Sequence, residues 1–296
     1  MSSEVVITGV SGSVGSYLAR RLADRGVRVI GVSRGEFRYS GVEHVALDLA
    51  NPDSPLPNFG SAPLINCAAI TRDGWDVELE NRIRLMTDSA LALTDGPVVH
   101  ISSSSVYDLT QPSVLVTEGQ VVRGHRFLNS YSFAKWKSEE QVAGAGRPAV
   151  ILRPHAIYGE TDTTLLPRLR AAVRGGRLYL PEGGTARHAM TSMENLAGAV
   201  DASLAALDSG LAGVTVANVS DVKPKVLAEV IGEALGSRVR IVRVPLWLAL
   251  RAASGVERQT PNGVEPRLSE YVVRQLAHDR TYNLNVLRQT LGFEPS

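Results

Sequence analysis

Three groups of residues in this chain have types and spacings that could do chemistry. The first is Thr8-Gly9-Val10-Ser11-Gly12-Ser13-Val14-Gly15, which follows a short β-branched stretch and puts glycines at 9, 12 and 15. Glycine is needed where the chain turns tightly, where backbone approaches a pyrophosphate and where a helix packs closely on a strand, and the helix that follows offers free N–H groups to phosphate. With 27 glycines in 296 residues, such a triplet arises by chance about 0.2 times. Its position at the first strand-to-helix turn therefore carries the dinucleotide reading. The second group is Tyr131-Ser132-Phe133-Ala134-Lys135, in which Tyr131 and Lys135 share one helix face. A phenol with a pKa of about 10 serves as acid or base at neutral pH only when a cation stabilises its phenolate, and a lysine ammonium does that. The third is the serine run Ser102-Ser103-Ser104-Ser105 ahead of Val106-Tyr107, directly after the apolar stretch Val98–Ile101.

Other residues would select the cofactor. The second apolar stretch, Arg28–Ser33, ends in Ser33-Arg34, where an NAD-preferring site places an acid on the ribose hydroxyls. A hydroxyl and a cation suit a 2′-phosphate, so NADP(H) is expected ahead of NAD(H); the alternative is that Arg34 is an ordinary solvated loop residue. Asp48, followed by Leu49, could accept the adenine amino group or cap a turn. The single cysteine, Cys67, closes a buried stretch and reads as packing, and it excludes an intrachain disulfide and a cysteine-based zinc site. His155 has no second histidine at ligand spacing, so a core or lining role is expected and no metal.

The elements that must position these groups alternate. Short apolar runs at Val5–Thr8, Arg28–Ser33, His44–Leu47, Leu64–Cys67, Val98–Ile101, Ala149–Leu152 and Val214–Val219 are separated by helical periodicity. That pattern predicts βαβ units and a parallel sheet buried on both faces. The expected fold is α/β, a Rossmann-type doubly wound parallel sheet with a small discontinuous substrate-binding cap. Residues 1–158 plus about 189–220 would form the NADP-binding domain, and about 159–188 plus 221–296 the cap. Charged residues are 21%, hydrophobic ones 44% and the net charge +1. Neither a disordered polyampholyte nor a membrane protein has that balance, and a net charge of +1 supplies no global field to gather phosphate backbones or anionic lipid, so no nucleic-acid or membrane partner is expected. No run reaches the roughly 20 apolar residues that span a bilayer and no secretory leader is visible, so a cytoplasmic protein is expected.

At this point the sequence resembles the extended short-chain dehydrogenase/reductases, the nucleotide-sugar epimerases, dehydratases and ketoreductases. The resemblance rests on the glycine motif, Asp48, Asn66-Cys67-Ala68-Ala69, Asn81, Ser102-Ser103 before Val106-Tyr107, Tyr131 with Lys135, and Arg153-Pro154 before Tyr158-Gly159; the ending Leu291-Gly292-Phe293-Glu294-Pro295 is similar too. It implies that Tyr131 is the catalytic acid/base, that Lys135 lowers its pKa and holds the nicotinamide ribose, and that Ser103 and Asn81 assist. It also implies cofactor contacts from the glycine loop (Gly9, Ser11, Gly12, Ser13, Val14, Gly15), from Cys67, Ala68 and Ala69, and from Pro154.

Two departures narrow the activity. Dehydratases of that family place an Asp-Glu pair directly after the catalytic hydroxyl residue, and Ser104-Ser105 stand there instead, so dehydration is not expected. Ser33-Arg34 favours a released NADPH over the tightly held NAD of an epimerase. The expectation is an NADPH-dependent ketoreductase of a nucleotide-activated keto-sugar, with an NDP-4-keto-6-deoxyhexose as the sugar; the alternatives are an NDP-sugar 4-epimerase, a reductase of a non-sugar carbonyl, and a non-catalytic dinucleotide-sensing protein. Substrate contacts are expected from Ser104, Ser105, His155, Arg168 and Arg187, the arginines suiting a diphosphate. Arg123, His125 and Arg126 read as solvated. A homodimer is expected through the helices carrying Asn81 and Tyr131, which offer Ile83, Leu85, Met86 and Leu91, and Phe133, Trp136 and Val142.

Overall fold

A computed structural model describes residues 3–122, 127–159, 165–236 and 239–296; Arg123, His125 and Arg126 lie outside them. The chain opens with β1 (Glu4–Thr8), α1 (Ser13–Asp24), β2 (Arg28–Ser33), β3 (Val42–Ala46), β4 (Leu64–Asn66), α2 (Val77–Leu91) and β5 (Val98–Ile101). It continues through β6 (Ser113–Val116), α3 (Ser130–Gly144), β7 (Ala149–Pro154), β8 (Ile157–Tyr158), α4 (Leu165–Ala172), β9 (Arg177–Pro181), β10 (Arg187–His188), β11 (Thr191–Ser192), α5 (Met193–Asp208) and β12 (Val214–Val219). Then come β13 (Lys225–Val226), α6 (Leu227–Leu235), β14 (Arg240–Val244), α7 (Leu246–Gln259), α8 (Glu270–Ala277), β15 (Arg280–Tyr282) and α9 (Asn285–Gln289). No helix among the described residues is long and apolar enough to cross a membrane.

The central sheet is parallel, in the order β12-β7-β5-β4-β1-β2-β3. It is the doubly wound sheet expected from the sequence, and its strand order reverses between β1 and β4. Ligands bind outside the carboxyl ends of the strands at such a switch point. The runs are apolar at nearly every position because helices cover both faces. On one face, Ile7, Val29, Val99, Val150 and Leu152 pack against Leu18 and Leu22 of α1 and Leu196 and Val200 of α5. On the other, Val6, Ile30, Leu64, Val98 and Ile151 pack against Ala90 of α2 and Val142 of α3.

A smaller core surrounds Leu178, Leu180, Leu227 and Ile231, where β9 and β14 form a parallel pair under α4 and α6. Ala249 and Ala253 of α7 meet Val273 of α8 beside it. The expected domain boundary needs two corrections here. Tyr282, Leu284, Leu287 and Leu291 are buried in the main core, and Gly198 of α5 leaves room for the Phe293 ring, which a Cβ would meet at 2.3 Å. The chain end therefore returns to the dinucleotide-binding domain. In the other direction β6, inside the segment assigned to that domain, joins the sheet β13-β10-β15-β6. Both excursions join residues 95 or more apart, which local periodicity does not report.

Candidate active site

The site is built at the carboxyl ends of β1, β4 and β5. Gly9 has a φ of +69°, and a Cβ there would lie 3.0 Å from the Ala68 backbone. A Cβ on Gly15 would fall 2.3 Å from the Gly9 carbonyl oxygen, so no side chain fits where α1 crosses the turn. Gly12 caps α1 without a side-chain bond, which leaves the amides of its first turn available. This cradle fits a dinucleotide pyrophosphate. Ser11 and Ser13 belong to the same turn, while Val14 packs toward the main core. At the end of β2 the Ser33 hydroxyl donates to the Gly35 carbonyl at 2.7 Å and lies 3.1 Å from His44 Nε2, so it is committed to its own loop. Arg34 is exposed, and Ser11 Oγ sits 3.2 Å from where a Cβ on Gly35 would be. Asp48 Oδ1 accepts from Ala50 N at 3.0 Å in a turn. Leu49 is 4% exposed, with its side chain packed in the core. Ala68 N donates to Thr8 Oγ1 at 3.3 Å, Ala69 follows it half-buried, and Pro154 ends β7 opposite Val219.

Tyr131 lies in the first turn of α3, which starts there because Asn129 Oδ1 accepts from Ser132 N at 2.9 Å. Its phenol is hydrogen-bonded to Ser103, a contact that lowers its pKa, but burial is the larger influence and holds it above the usual value. One turn on, Lys135 is 3% exposed and donates from Nζ to the Ile101 carbonyl at 2.7 Å. Burial lowers its pKa to about 8, opposed by Cys67 and Glu139. The Cys67 thiol is pushed up to about 12 by burial, so it is no nucleophile. Ser103 and Tyr131 are thus in contact, and Lys135, one turn along the same helix, is bonded to the end of the strand that leads to Ser103.

Two buried polar chains fix α3 on the sheet. Glu139 accepts from Arg153 Nε at 2.8 Å, from an Arg153 terminal nitrogen at 2.7 Å and from the Ser102 hydroxyl at 2.5 Å. Arg153 also donates to the Tyr107 hydroxyl at 3.0 Å, which donates to Asn218 at 2.6 Å. In the second chain Thr8 donates to Asn66 Oδ1 at 2.6 Å, Asn66 Nδ2 lies 3.2 Å from His100 Nδ1, and His100 Nε2 lies 3.0 Å from Ser138 Oγ. Ser138 donates onward to the Lys135 carbonyl at 2.8 Å, so His100 must carry its proton on Nε2. Burial keeps that imidazole neutral.

A model of the NAD dependent epimerase/dehydratase family matches residues 5–219. The chain belongs to that family. Among curated proteins, the epimerase/dehydratase-family chain is 27% identical to the 2-alkyl-3-oxoalkanoate reductase of Stenotrophomonas maltophilia (strain K279a), over 99% of this chain and 94% of the relative. It is 26% identical to the 4-hydroxy-2-methyl-3-oxo-4-farnesyl-3,4-dihydroquinoline-1-oxide ketoreductase of Stigmatella aurantiaca, over 97% and 90%. Among solved structures, MoeE5 in complex with UDP-glucose and NAD superposes with a TM-score of 0.71 at 19% identity, over 99% of this chain and 93% of that one. Family and relatives make it an NAD(P)-dependent oxidoreductase of the extended short-chain dehydrogenase/reductase type.

The substrate side of this epimerase/dehydratase-family site departs further from the sequence expectations. Asn81 is exposed on α2, on the opposite side from Leu79 and Ile83, which pack against Ala134 of α3. It is not brought to Tyr131. Ser104 and Ser105 are 2% and 1% exposed, and Ser104 Oγ lies 3.1 Å from His155 Nδ1. His155 continues to His188 at 3.1 Å, with burial holding both imidazoles well below their usual pKa, His188 at about 4. Ser104, His155 and His188 form one buried chain, and Ser105 is buried next to Ser104 with its hydroxyl unpartnered among the described residues. Arg187 is exposed on the strand face opposite His188. Arg168 alone of the two expected arginines neighbours Tyr131. It is held by the Thr71 carbonyl at 3.0 Å and Glu265 at 2.8 Å. Sequence reasoning missed Asp73, Glu265, Ser269 and Tyr271, which complete the rim. Ser269 had a local signal, a polar residue opening a helical run; the others had none.

Proposed function

We propose that this enzyme reduces the ketone of a 3-oxo acid or ester bearing an apolar chain, with NADPH as reductant. The observation that carries the reading is the Ser103-Tyr131 contact with Lys135 one turn on, with no carboxylate following Ser103 and, among the described residues, no unpaired guanidinium fork beside it. Bound in the glycine cradle, NADPH would supply hydride to the carbonyl carbon. Tyr131 gives its proton to the carbonyl oxygen, Ser103 holds that oxygen, and Lys135 stabilises the phenolate until solvent reprotonates it. Ketone, NADPH and one proton become alcohol and NADP⁺.

Support for the apolar substrate comes from the rim and the relatives. Arg168 is paired with Glu265, Arg170 and Arg174 are exposed, and Arg174, just past the end of α4, donates to the Ala171 and Val173 carbonyls. The rim segments 73–77 and 264–266, which touch where Gly74 meets Pro266, instead expose Trp75, Val77 and Val264. Two relatives matched over nearly the whole chain bear ketoreductase names for non-sugar carbonyls. The nucleotide keto-sugar remains the second reading, favoured by Arg168 beside Tyr131. NADPH oxidation against a panel of 2-alkyl-3-oxo acids and NDP-4-keto-sugars tests the two. Turnover of the first group is expected, and turnover of the sugars alone would replace it.

The NADP preference rests on the exposed Arg34 alone, since Ser33 is committed to its loop. The proposal includes a cytoplasmic homodimer through α2 and α3. Of the apolar residues expected to face a partner, Ile83 and Val142 are core, while Leu85, Met86, Phe133 and Trp136 stay half-buried. A light-scattering mass of the 31.7 kDa monomer at micromolar concentration would contradict it.

A further inference from the structure

The rim holds a second phenol that the reduction above does not use. Tyr271 lies in the first turn of α8, two residues after the helix cap, as Tyr131 lies two residues after the cap of α3. The two caps share one partner. Asn129 Nδ2 donates to Asp73 Oδ1 at 2.7 Å, and the Ser269 hydroxyl, which accepts from Val272 N at 3.0 Å, donates to Asp73 Oδ2. Asp73 is 7% exposed and takes a further bond from Gly74 N at 2.7 Å. The positive ends of both helices favour its charge. Ser130 N donates to the Gly74 carbonyl at 3.1 Å and Glu265 accepts from Asp73 N at 3.3 Å, so the loop is fastened on both sides. One carboxylate therefore joins the start of the catalytic helix to the start of a cap helix, with Tyr131, Tyr271 and Arg168 within electrostatic reach of one another. Among the described residues, charge interactions alone connect the Tyr271 hydroxyl to its neighbours.

We propose that Tyr271 is a substrate-binding residue that donates a hydrogen bond to the carboxylate or ester oxygen beside the reacting ketone, and that Asp73 is the positioning residue that holds it across from Tyr131. The proposal rests on the 3-oxo reading. In such a substrate the second oxygen function stands two carbons from the ketone, so a second donor near Tyr131 fixes which carbonyl is reduced. Burial beside Tyr131 and Asp73 raises the Tyr271 pKa, so the phenol stays protonated and serves as a donor. Arg168 adds positive charge on the same side.

The test compares a 2-alkyl-3-oxo acid with the matched ketone lacking the carboxylate. In Tyr271→Phe the ratio of kcat/KM for acid over ketone is expected to fall about tenfold, the scale of one lost hydrogen bond to a charged group. Asp73→Asn turns one acceptor oxygen into a donor and should raise KM for the acid, with no further rise in the Asp73→Asn/Tyr271→Phe double variant. An unchanged ratio in an enzyme that reduces the acid overturns the Tyr271 role and leaves the reaction standing; additive effects in the double variant overturn the Asp73 role. If the wild type reduces neither compound, the reaction reading fails, and calorimetry of the 3-hydroxy acid on NADP⁺-loaded protein decides the site. Binding weakened about tenfold in Tyr271→Phe supports it, and binding that is equal or absent overturns it.

Discussion

The strand ends that form the cofactor cradle and the rim that faces the substrate are built from different parts of the chain. The cradle is made of backbone: Gly9, Gly12 and Gly15 matter because they lack side chains, and Gly9 packs on Ala68, two residues past the end of the adjacent strand β4. The rim is made of side chains from separate segments, Asp73, Asn129, Arg168, Glu265 and Ser269, held to one another by hydrogen bonds and one ion pair. A substitution in the cradle adds a side chain where none fits, whereas each rim side chain can be exchanged for another. That difference fits two curated relatives that align along nearly the whole chain while their reductase names give unlike ketones.

The largest effect is expected where the two regions meet. Tyr131→Phe should lower turnover by about 10²-fold or more, the scale of a lost general acid, while leaving NADPH affinity near the wild-type value by fluorescence titration. Retention of most of the rate would remove Tyr131 from the chemistry.

Gly15→Ala probes the cradle alone. Its Cβ would stand 2.3 Å from a backbone oxygen that cannot rotate away, so NADPH affinity should fall by about tenfold or more and folding stability by about 1–3 kcal/mol. A variant that binds NADPH normally would show that the cradle is not where the cofactor sits. Arg34→Ala tests the exception, a side chain working in the backbone-built region. NADPH affinity should fall by about 1–3 kcal/mol, the value of a charge-assisted bond, with a smaller change for NADH. Equal losses would make Arg34 an ordinary surface residue.

The smallest effect is one of stability. Lys135 has its pKa lowered from 10.5 to about 8 by burial. The fold therefore bears the cost of a buried ammonium below about pH 8 and is relieved of it as pH rises toward 10.5. Lys135→Met should then melt above the cofactor-free wild type at pH 7, by about 1 kcal/mol, with the gap closing in alkali, even as it abolishes turnover. A variant less stable than wild type at pH 7 would show that the bond to Ile101 outweighs the desolvation.

The same division decided what could be read from the sequence. The cradle and Tyr131-Lys135 were legible because their chemistry depends on spacings of three and four residues along one element. Seven parallel strands were legible because burial on two faces writes itself as continuous apolar runs. Asp73 was not, since it carries no local pattern and meets Ser269 across 196 residues; the local signal at Ser269 marks a helix start and says nothing of its partner. Asn81 misled for the opposite reason: its place on a helix was right, but a polar residue at that place gave no sign of which face it took. Ser104 and His155 adjoin Ser103 and Pro154 in sequence, but Ser104 turns inward to His155 and His155 to His188, contacts that sequence order does not show.

The central claim is that Ser103, Tyr131 and Lys135 reduce a ketone at the cradle's edge, and isotope transfer tests it most directly. With NADPH carrying deuterium at the nicotinamide C4 and a 2-alkyl-3-oxo acid, the account predicts one deuterium on the carbinol carbon per NADPH consumed, and a rate about 10²-fold lower in Tyr131→Phe. An enzyme that interconverts nucleotide sugars with no deuterium gained and no net loss of NADPH would contradict it.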